Sequence, residues 1–257
     1  MKVYDSFLFN NELDLLECRL VQMEHWPVYR HILVESPVDH QGHDKPLYYA
    51  DNRERFAPWA DRITHVITPR LPDAADPMFR EAAQRDRVAE GLTGVEAGDW
   101  LILADVDEIP NDTALAAVKN REVGVLEMIC CMFAVDWLWG LPLRTSVILP
   151  AGNGGQLSAA RRDGWSAGPE IHGAGHHLTW LGGRDGIAAK MAAHCHIECN
   201  EDLARGNADD VFYQQGHNPF GKFGYSEFLM PVDVDDSWPR WVYERNCPGN
   251  WFRPRAG

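Results

Sequence analysis

The chain lacks most of what a membrane, secreted or nucleic-acid-binding protein needs. No apolar run approaches the roughly 20 residues of a membrane-spanning helix. The opening Met1-Lys2-Val3-Tyr4-Asp5 has neither the charged n-region nor the apolar h-region of a secretory signal. Together these absences predict a protein without a membrane span that stays in the cytoplasm. Basic residues are scarce, with 24 Lys and Arg against 38 Asp and Glu and a formal net charge of -14. That balance repels phosphate backbones and gives no support for a polybasic attachment to anionic lipid. It leaves room only for a local basic patch, around Arg161-Arg162 or around Arg80, Arg85 and Arg87. No internal repeat, low-complexity linker or C-x-x-C pair is present. The six cysteines (Cys18, Cys130, Cys131, Cys195, Cys199 and Cys247) are scattered, which fits reduced thiols better than a disulfide framework.

What is present is ordinary globular material. Hydrophobic residues make up 45% and charged residues 24% of 257. That length suits one α/β domain better than two small ones. Tryptophan is frequent, at 10. Such rings usually belong to the core, but Trp137, Trp139, Trp165 and Trp180 are also candidates for stacking on sugar rings.

Residues 3–9 alternate as a strand, and Asn10-Asn11-Glu12 reads as a turn into a helix carrying Leu13, Leu15, Leu16, Leu20 and Met23. Residues 29–35 and 62–67 read as further strands and residues 79–92 as a helix. Residues 100–104 are a continuous apolar run, as expected of a buried parallel strand. Beyond residue 116 the pattern is less regular: residues 125–139 are strongly apolar, 152–155 form a loop, and 178–196 are expected to hold short strands. The alternation of strands and helices predicts an α/β, mostly parallel, Rossmann-type sheet flanked by helices. Ligands of such sheets bind where the strands end.

The buried run stops at Asp105-Val106-Asp107-Glu108-Ile109-Pro110. In extended backbone, residues two apart face the same side, so Asp105 and Asp107 are expected to reach one hard cation, Mn²⁺ or Mg²⁺. Such an ion neutralises a diphosphate leaving group. The plain alternative is a turn whose acids cap the following helix. A second cluster, His194-Cys195-His196-Ile197-Glu198-Cys199, is dense enough in ligands for Zn²⁺. Strand alternation would split it, however, with His194, His196 and Glu198 on one face and Cys195 and Cys199 on the other.

Several segments, in order, resemble glycosyltransferase family 17, the family of the bisecting β-1,4-mannosyl-glycoprotein N-acetylglucosaminyltransferase and its bacterial relatives. These are the opening Tyr4 to Glu17, Leu33-Val34-Glu35-Ser36 with Gly42 and Lys45-Pro46, Gln84-Arg85-Asp86, and Asp105 to Pro110. Looser likenesses are Ala174 to Trp180, then Lys190 and His196-Ile197-Glu198. His176 stands where the family usually has Trp, and Thr179 where it has Ser.

The resemblance implies a GT-A-like single domain over residues 1–257, with a donor-binding part at about 1–115 and an acceptor-side part at about 116–257. It implies a nucleotide-sugar donor, expected to be a UDP-sugar, and inversion at the anomeric carbon with a general base on the acceptor hydroxyl. Metal ligands are expected from Asp105, Asp107 and His196. Donor contacts are expected from Asn10, Glu12, Glu35, Lys45, Arg85 and Asp105. Glu108 and Glu198 are the candidate catalytic bases; Asp136 and Asp163 lie in the acceptor-side half but match no family acid. The acceptor would be a glycan, a glycolipid or a small glycoside. A modified nucleobase in DNA is the alternative acceptor. A metal-dependent nucleotide-diphosphate hydrolase and a non-catalytic sugar-binding module are the competing classes.

Overall fold

The computed structural model describes residues 1–71, 76–152, 156–197, 200–220 and 226–254, without the side chains of Thr145 and residues 164–167. Its strands are β1 (Val3–Phe9), β2 (Val28–Glu35), β3 (Ile63–Ile67), β4 (Trp100–Asp105), β5 (Glu108–Pro110), β6 (Gly124–Met132), β7 (Trp137–Leu138), β8 (Leu143–Pro150), β9 (Glu170–Ile171), β10 (Gly175–Thr179) and β11 (Met230–Pro231). Its helices are α1 (Leu13–Gln22), α2 (Tyr48–Asp51), α3 (Pro77–Asp86), α4 (Val88–Gly91), α5 (Asp112–Asn120), α6 (Leu157–Ala167), α7 (Gly183–Ala193), α8 (Asn200–Ala208) and α9 (Arg240–Tyr243).

One sheet runs in the order β11-β7-β6-β8-β4-β1-β2-β3, with β5, β9 and β10 attached beside β6. The half β3-β2-β1-β4 is parallel, which is the Rossmann-type arrangement expected. β4 is parallel to β1 on one side and antiparallel to β8 on the other, so the sheet becomes mixed at its centre. Along β4, Trp100, Ile102 and Ala104 join one apolar cluster with α5 residues Leu115 and Val118. Leu101 and Leu103 join the opposite cluster with Val88 and Leu157. Both faces of the strand are therefore covered, which is why it reads as unbroken apolar sequence.

Pairing registers put the carboxyl ends of the parallel strands level. Leu8 faces Asp105, Phe9 faces Glu35, and Glu35 faces Ile67. Residues just past β1, β2 and β4 thus share one sheet edge.

Two expected elements come out differently. Residues 79–92 are two helices broken at Arg87; Asp76 caps α3 by accepting from the Met78 and Phe79 amides, with Pro77 in the first turn. Residues 178–196 hold only the end of β10, and then α7. The run Ile187-Ala188-Ala189-Lys190-Met191-Ala192-Ala193 is rich in strong helix formers, and helix propensity prevails there. Among the described residues no helix is long and apolar enough to cross a membrane.

Candidate functional site

The site is built from its floor upward. Asp5, on β1, is fully buried. Arg19 reaches it from α1 with Nε 3.0 Å from Oδ2 and Nη2 2.5 Å from Oδ1, and His31 Nδ1 lies 2.8 Å from Oδ2. Burial alone would raise the Asp5 pKa, but Arg19 and His31 outweigh it and hold the carboxyl at about 2. The remaining Arg19 nitrogen, Nη1, donates to two carbonyls of the acidic loop, Asp105 O at 3.2 Å and Glu108 O at 2.5 Å. Arg19 was not foreseen as a site-building residue, although a signal existed. It sits four residues after Leu15 and four before Met23, on the apolar stripe of its helix, where a charge must find a partner.

The strand ends at Asp105, and Val106-Asp107 form a turn. The expectation that the two carboxylates point to one side by strand alternation therefore fails. Asp105 faces two arginines, with Oδ1 2.9 Å from Arg85 Nη2 and Oδ2 2.8 Å from Arg161 Nη2. The first contact is a charge pair rather than a directed bond, since buried Oδ1 receives no hydrogen bond. Asp107 faces Lys190 Nζ at 2.8 Å and His177 Nε2 at 3.4 Å. Burial acts to raise both carboxyl pKa values. The arginines at Asp105, and Lys190 with His177 at Asp107, outweigh it and hold both below the usual carboxylate range. Conversely Asp107 raises His177 and Lys190 against their burial.

β10 clamps this turn from the side. Leu178 N donates to Asp107 O at 2.8 Å, and His177 pairs with Glu108 in the antiparallel register. Lys190 Nζ also donates to Thr179 Oγ1 at 2.8 Å. His176 is buried with its ring 5.0 Å from that of Trp238. Burial lowers its pKa to about 4.

Glu108 does not fit the role of general base. It is 1% exposed. Its Oε2 accepts from Asp105 N, Ser146 Oγ and Arg161 Nη1, at 2.8, 2.9 and 2.8 Å, and Arg161 Nη2 lies 2.5 Å from Oε1. A carboxylate so occupied locks Arg161 against Asp105 and cannot take an acceptor proton. Glu198 lies outside the described residues. His196 is exposed and does not join the two aspartates. The described groups of three or more metal-ligating atoms within 4.8 Å are His40, Glu81 and Cys195, and Glu127, Glu170 and His172. Residues 194–196 are not a strand, so alternating faces do not apply to them.

The donor-side residues divide. Asn10 is partly exposed at the shared edge, and its Oδ1 is buried without a hydrogen-bond partner. Glu12 Oε2 accepts from the Asn10 and Asn11 amides at 3.0 Å each, and its charge acts on Lys45 and Lys190. Glu35 is fully buried, held by Lys45, the Tyr49 amide and His65 Nε2, and so lies beneath the edge rather than on it. Lys45 reaches Asn10 O at 3.1 Å and Glu35 at 3.4 Å. Arg85 is 2% exposed and spends its guanidinium on Glu81, Asp105 and the Ala104 carbonyl. It stands behind Asp105, with no face turned outward.

The local basic patches also dissolve. Arg80, Arg85 and Arg161 are all buried. Arg161 serves the acidic loop, a role that the neighbouring Arg162 disguises in the sequence. Trp137 and Trp180 are buried in an aromatic cluster with Phe133 and Phe212, Trp139 packs against it, and the Trp165 side chain lies outside the described residues. Asp136 is engaged by Arg253, and Asp163 is exposed beside Arg162.

A parallel half-sheet ending in a charge-saturated acidic turn defines the class: a Rossmann-type α/β protein with an acidic turn at the strand ends. The family model for glycosyltransferase family 17 matches residues 1–140, more than half of the chain, and the protein belongs to that family of sugar-transferring enzymes. Two solved structures are similar in outline. The crystal structure of S. aureus TarS has 10% identity and a TM-score of 0.40 over 82% of this chain and 44% of that one. The galactosyltransferase LgtC, in complex with donor and acceptor sugar analogues, has 9% identity and a TM-score of 0.30 over 63% of this chain and 60% of that one. This chain thus spans about half of the TarS chain and three fifths of the LgtC chain. No curated protein matches the sequence.

Proposed function

We propose that the protein is an inverting, metal-dependent glycosyltransferase that uses a UDP-sugar to glycosylate a hydroxyl of a glycan, glycolipid or small glycoside. The observation that carries this reading is the acidic turn at the end of β4, ringed by Arg85, Arg161, His177 and Lys190 at 2.8 to 3.4 Å. An array of mixed charge at a strand end suits a diphosphate and a cation together better than either alone. Strands from both halves of the chain enter one sheet, which favours a single domain.

An all-oxygen donor set fits a hard divalent ion, Mn²⁺ or Mg²⁺, once the two carboxylates turn from their present cation partners. Asp105 and Asp107 would hold it, and when bound it supplies positive charge to the departing diphosphate. Lys190, 28% exposed at its side chain, is the cation best placed to turn from Asp107 toward a phosphate oxygen. Asn10 Oδ1 is available to a ribose or sugar hydroxyl. With Glu108 committed to Arg161, Glu198 is the remaining candidate base.

The test is a thermal-shift screen of nucleotide sugars with Mn²⁺, with and without EDTA. A donor that binds only the folded state raises the melting temperature. A UDP-sugar should do so with metal alone, and Asp107→Ala should abolish the shift. No shift from any nucleotide sugar removes the reading. Diphosphate cleavage that no acceptor accelerates would point to a hydrolase instead.

A further inference from the structure

Beside the acidic turn lies a second group of ligand atoms of different chemistry. His40 comes from the loop after β2, Glu81 from α3, and Cys195 from the segment after α7. Their ligand atoms all lie within 4.8 Å of one another, a spacing that side-chain adjustment brings to the metal–ligand distances of about 2.0–2.3 Å that zinc prefers. We propose that His40, Glu81 and Cys195 form a Zn²⁺ site, separate from the hard-cation position at Asp105 and Asp107, that ties the loop after β2 to the end of α7 across α3.

The donor set argues for the ion. One imidazole, one carboxylate and one thiolate suit a borderline-soft ion, and disfavour Mg²⁺ or Ca²⁺. Three protein ligands leave a fourth tetrahedral position for water. The other described cysteines, Cys18, Cys130, Cys131 and Cys247, are buried, whereas Cys195 is partly exposed with Sγ 3.0 Å from Glu81 Oε2. Zinc would take the place of the thiol proton in that contact, and the proton would leave to solvent.

The surroundings already orient the ligands. Gln84 Nε2 donates to the Val34 carbonyl at 3.0 Å, so its Oε1 must face His40 Nε2, 3.2 Å away. His40 then donates from Nε2, which leaves the ring's lone pair on Nδ1. The other oxygen of Glu81, Oε1, accepts from Arg85 Nη2 at 2.8 Å. Two hydrogen bonds hold the two walls together without metal: the His40 amide donates to Ala193 O at 3.2 Å, and the Gln41 side-chain Nε2 to Met191 O at 2.9 Å. The sequence hides this set, because its members stand far apart in the chain and Cys195 sits among histidines that do not join it.

The test uses the whole chain without nucleotide sugar, so its outcome does not depend on the glycosyltransferase reading. Purified protein is incubated with Zn²⁺, desalted and assayed for bound metal. A parallel sample carries Co²⁺, whose thiolate charge-transfer band reports a sulfur ligand. One equivalent of zinc and the band are expected. Cys195→Ser and His40→Ala should lose both, with folding checked by circular dichroism. Gln84→Ala should weaken binding by about 10–100-fold. Asp107→Asn and His172→Ala should keep the full equivalent, the latter because it disables the surface group Glu127, Glu170 and His172. A folded wild-type chain that retains no zinc, or zinc retained equally by folded Cys195→Ser, overturns the proposal.

Discussion

The Asp5 and Asp107 carboxylates make an instructive pair. Asp5 sits on β1 and Asp107 in the turn after β4, and each is held by two basic side chains. Asp5 with Arg19 and His31 is sealed from solvent, with side-chain exposures of 0 to 1%. Asp107 is met by Lys190, at 28% exposure, and lies next to Asp105, at 32%. The sealed network can only hold; its charges have no route to a ligand. The other network reaches the surface through Lys190, although Asp107 itself is 7% exposed at its side chain. Arg19 joins the two by gripping the Asp105 and Glu108 carbonyls, so the sealed network sets the position of the acidic turn.

Breaking the sealed network should have the largest effect. Arg19→Met leaves Asp5 buried with one partner fewer and frees the acidic loop, and should destabilise the fold by about 3–5 kcal/mol in urea titration. An unchanged midpoint would mean that Arg19 does not position the turn.

The pH dependence separates the two regions further. His176 has its pKa lowered by burial, from 6.5 to about 4. The unfolded chain therefore binds the proton first, and stability falls as pH drops from 6.5 toward 4, by about 3 kcal/mol. His176→Phe should remove that slope while leaving the stability at pH 8 nearly unchanged. Asp5 acts in a lower window. Its carboxyl is depressed from 3.8 to about 2, so its contribution is present above 3.8 and is lost as pH falls through 2, about 2 kcal/mol in all. That acid limb should persist in His176→Phe and shrink by about 2 kcal/mol in Asp5→Asn, the depressed Asp105 and Asp107 carboxyls supplying the rest.

The smallest effect sharpens the open side. Thr179→Ser keeps the hydroxyl that receives Lys190 and should change stability by under about 1 kcal/mol. Thr179→Val removes it, costs about 1 kcal/mol, and should weaken the metal-dependent donor shift that Thr179→Ser retains.

The parallel half was legible without coordinates because local signals agree there. Residues 3–9, 29–35 and 100–104 carry β-branched and apolar runs, and the acidic motif stands where the last run stops. Asp105 and Asp107 were found that way. Their directions were not, since strand alternation does not survive a turn at Val106. Glu35 and Arg85 were expected to meet the donor, but the fold buries both beneath the edge. Glu108, beside the motif in sequence, was drawn inward by Arg161, a partner from 53 residues further on.

The sequence by itself determined the strand–helix alternation, the family and the place of the acidic turn, because these depend on neighbours a few residues apart. Only the tertiary structure decided which cation faces which carboxylate, and that Glu108 is committed to Arg161. Those choices rest on contacts spanning 14 to 89 residues, between Arg19 and Asp5 and between Arg19 and Glu108, which no local pattern encodes.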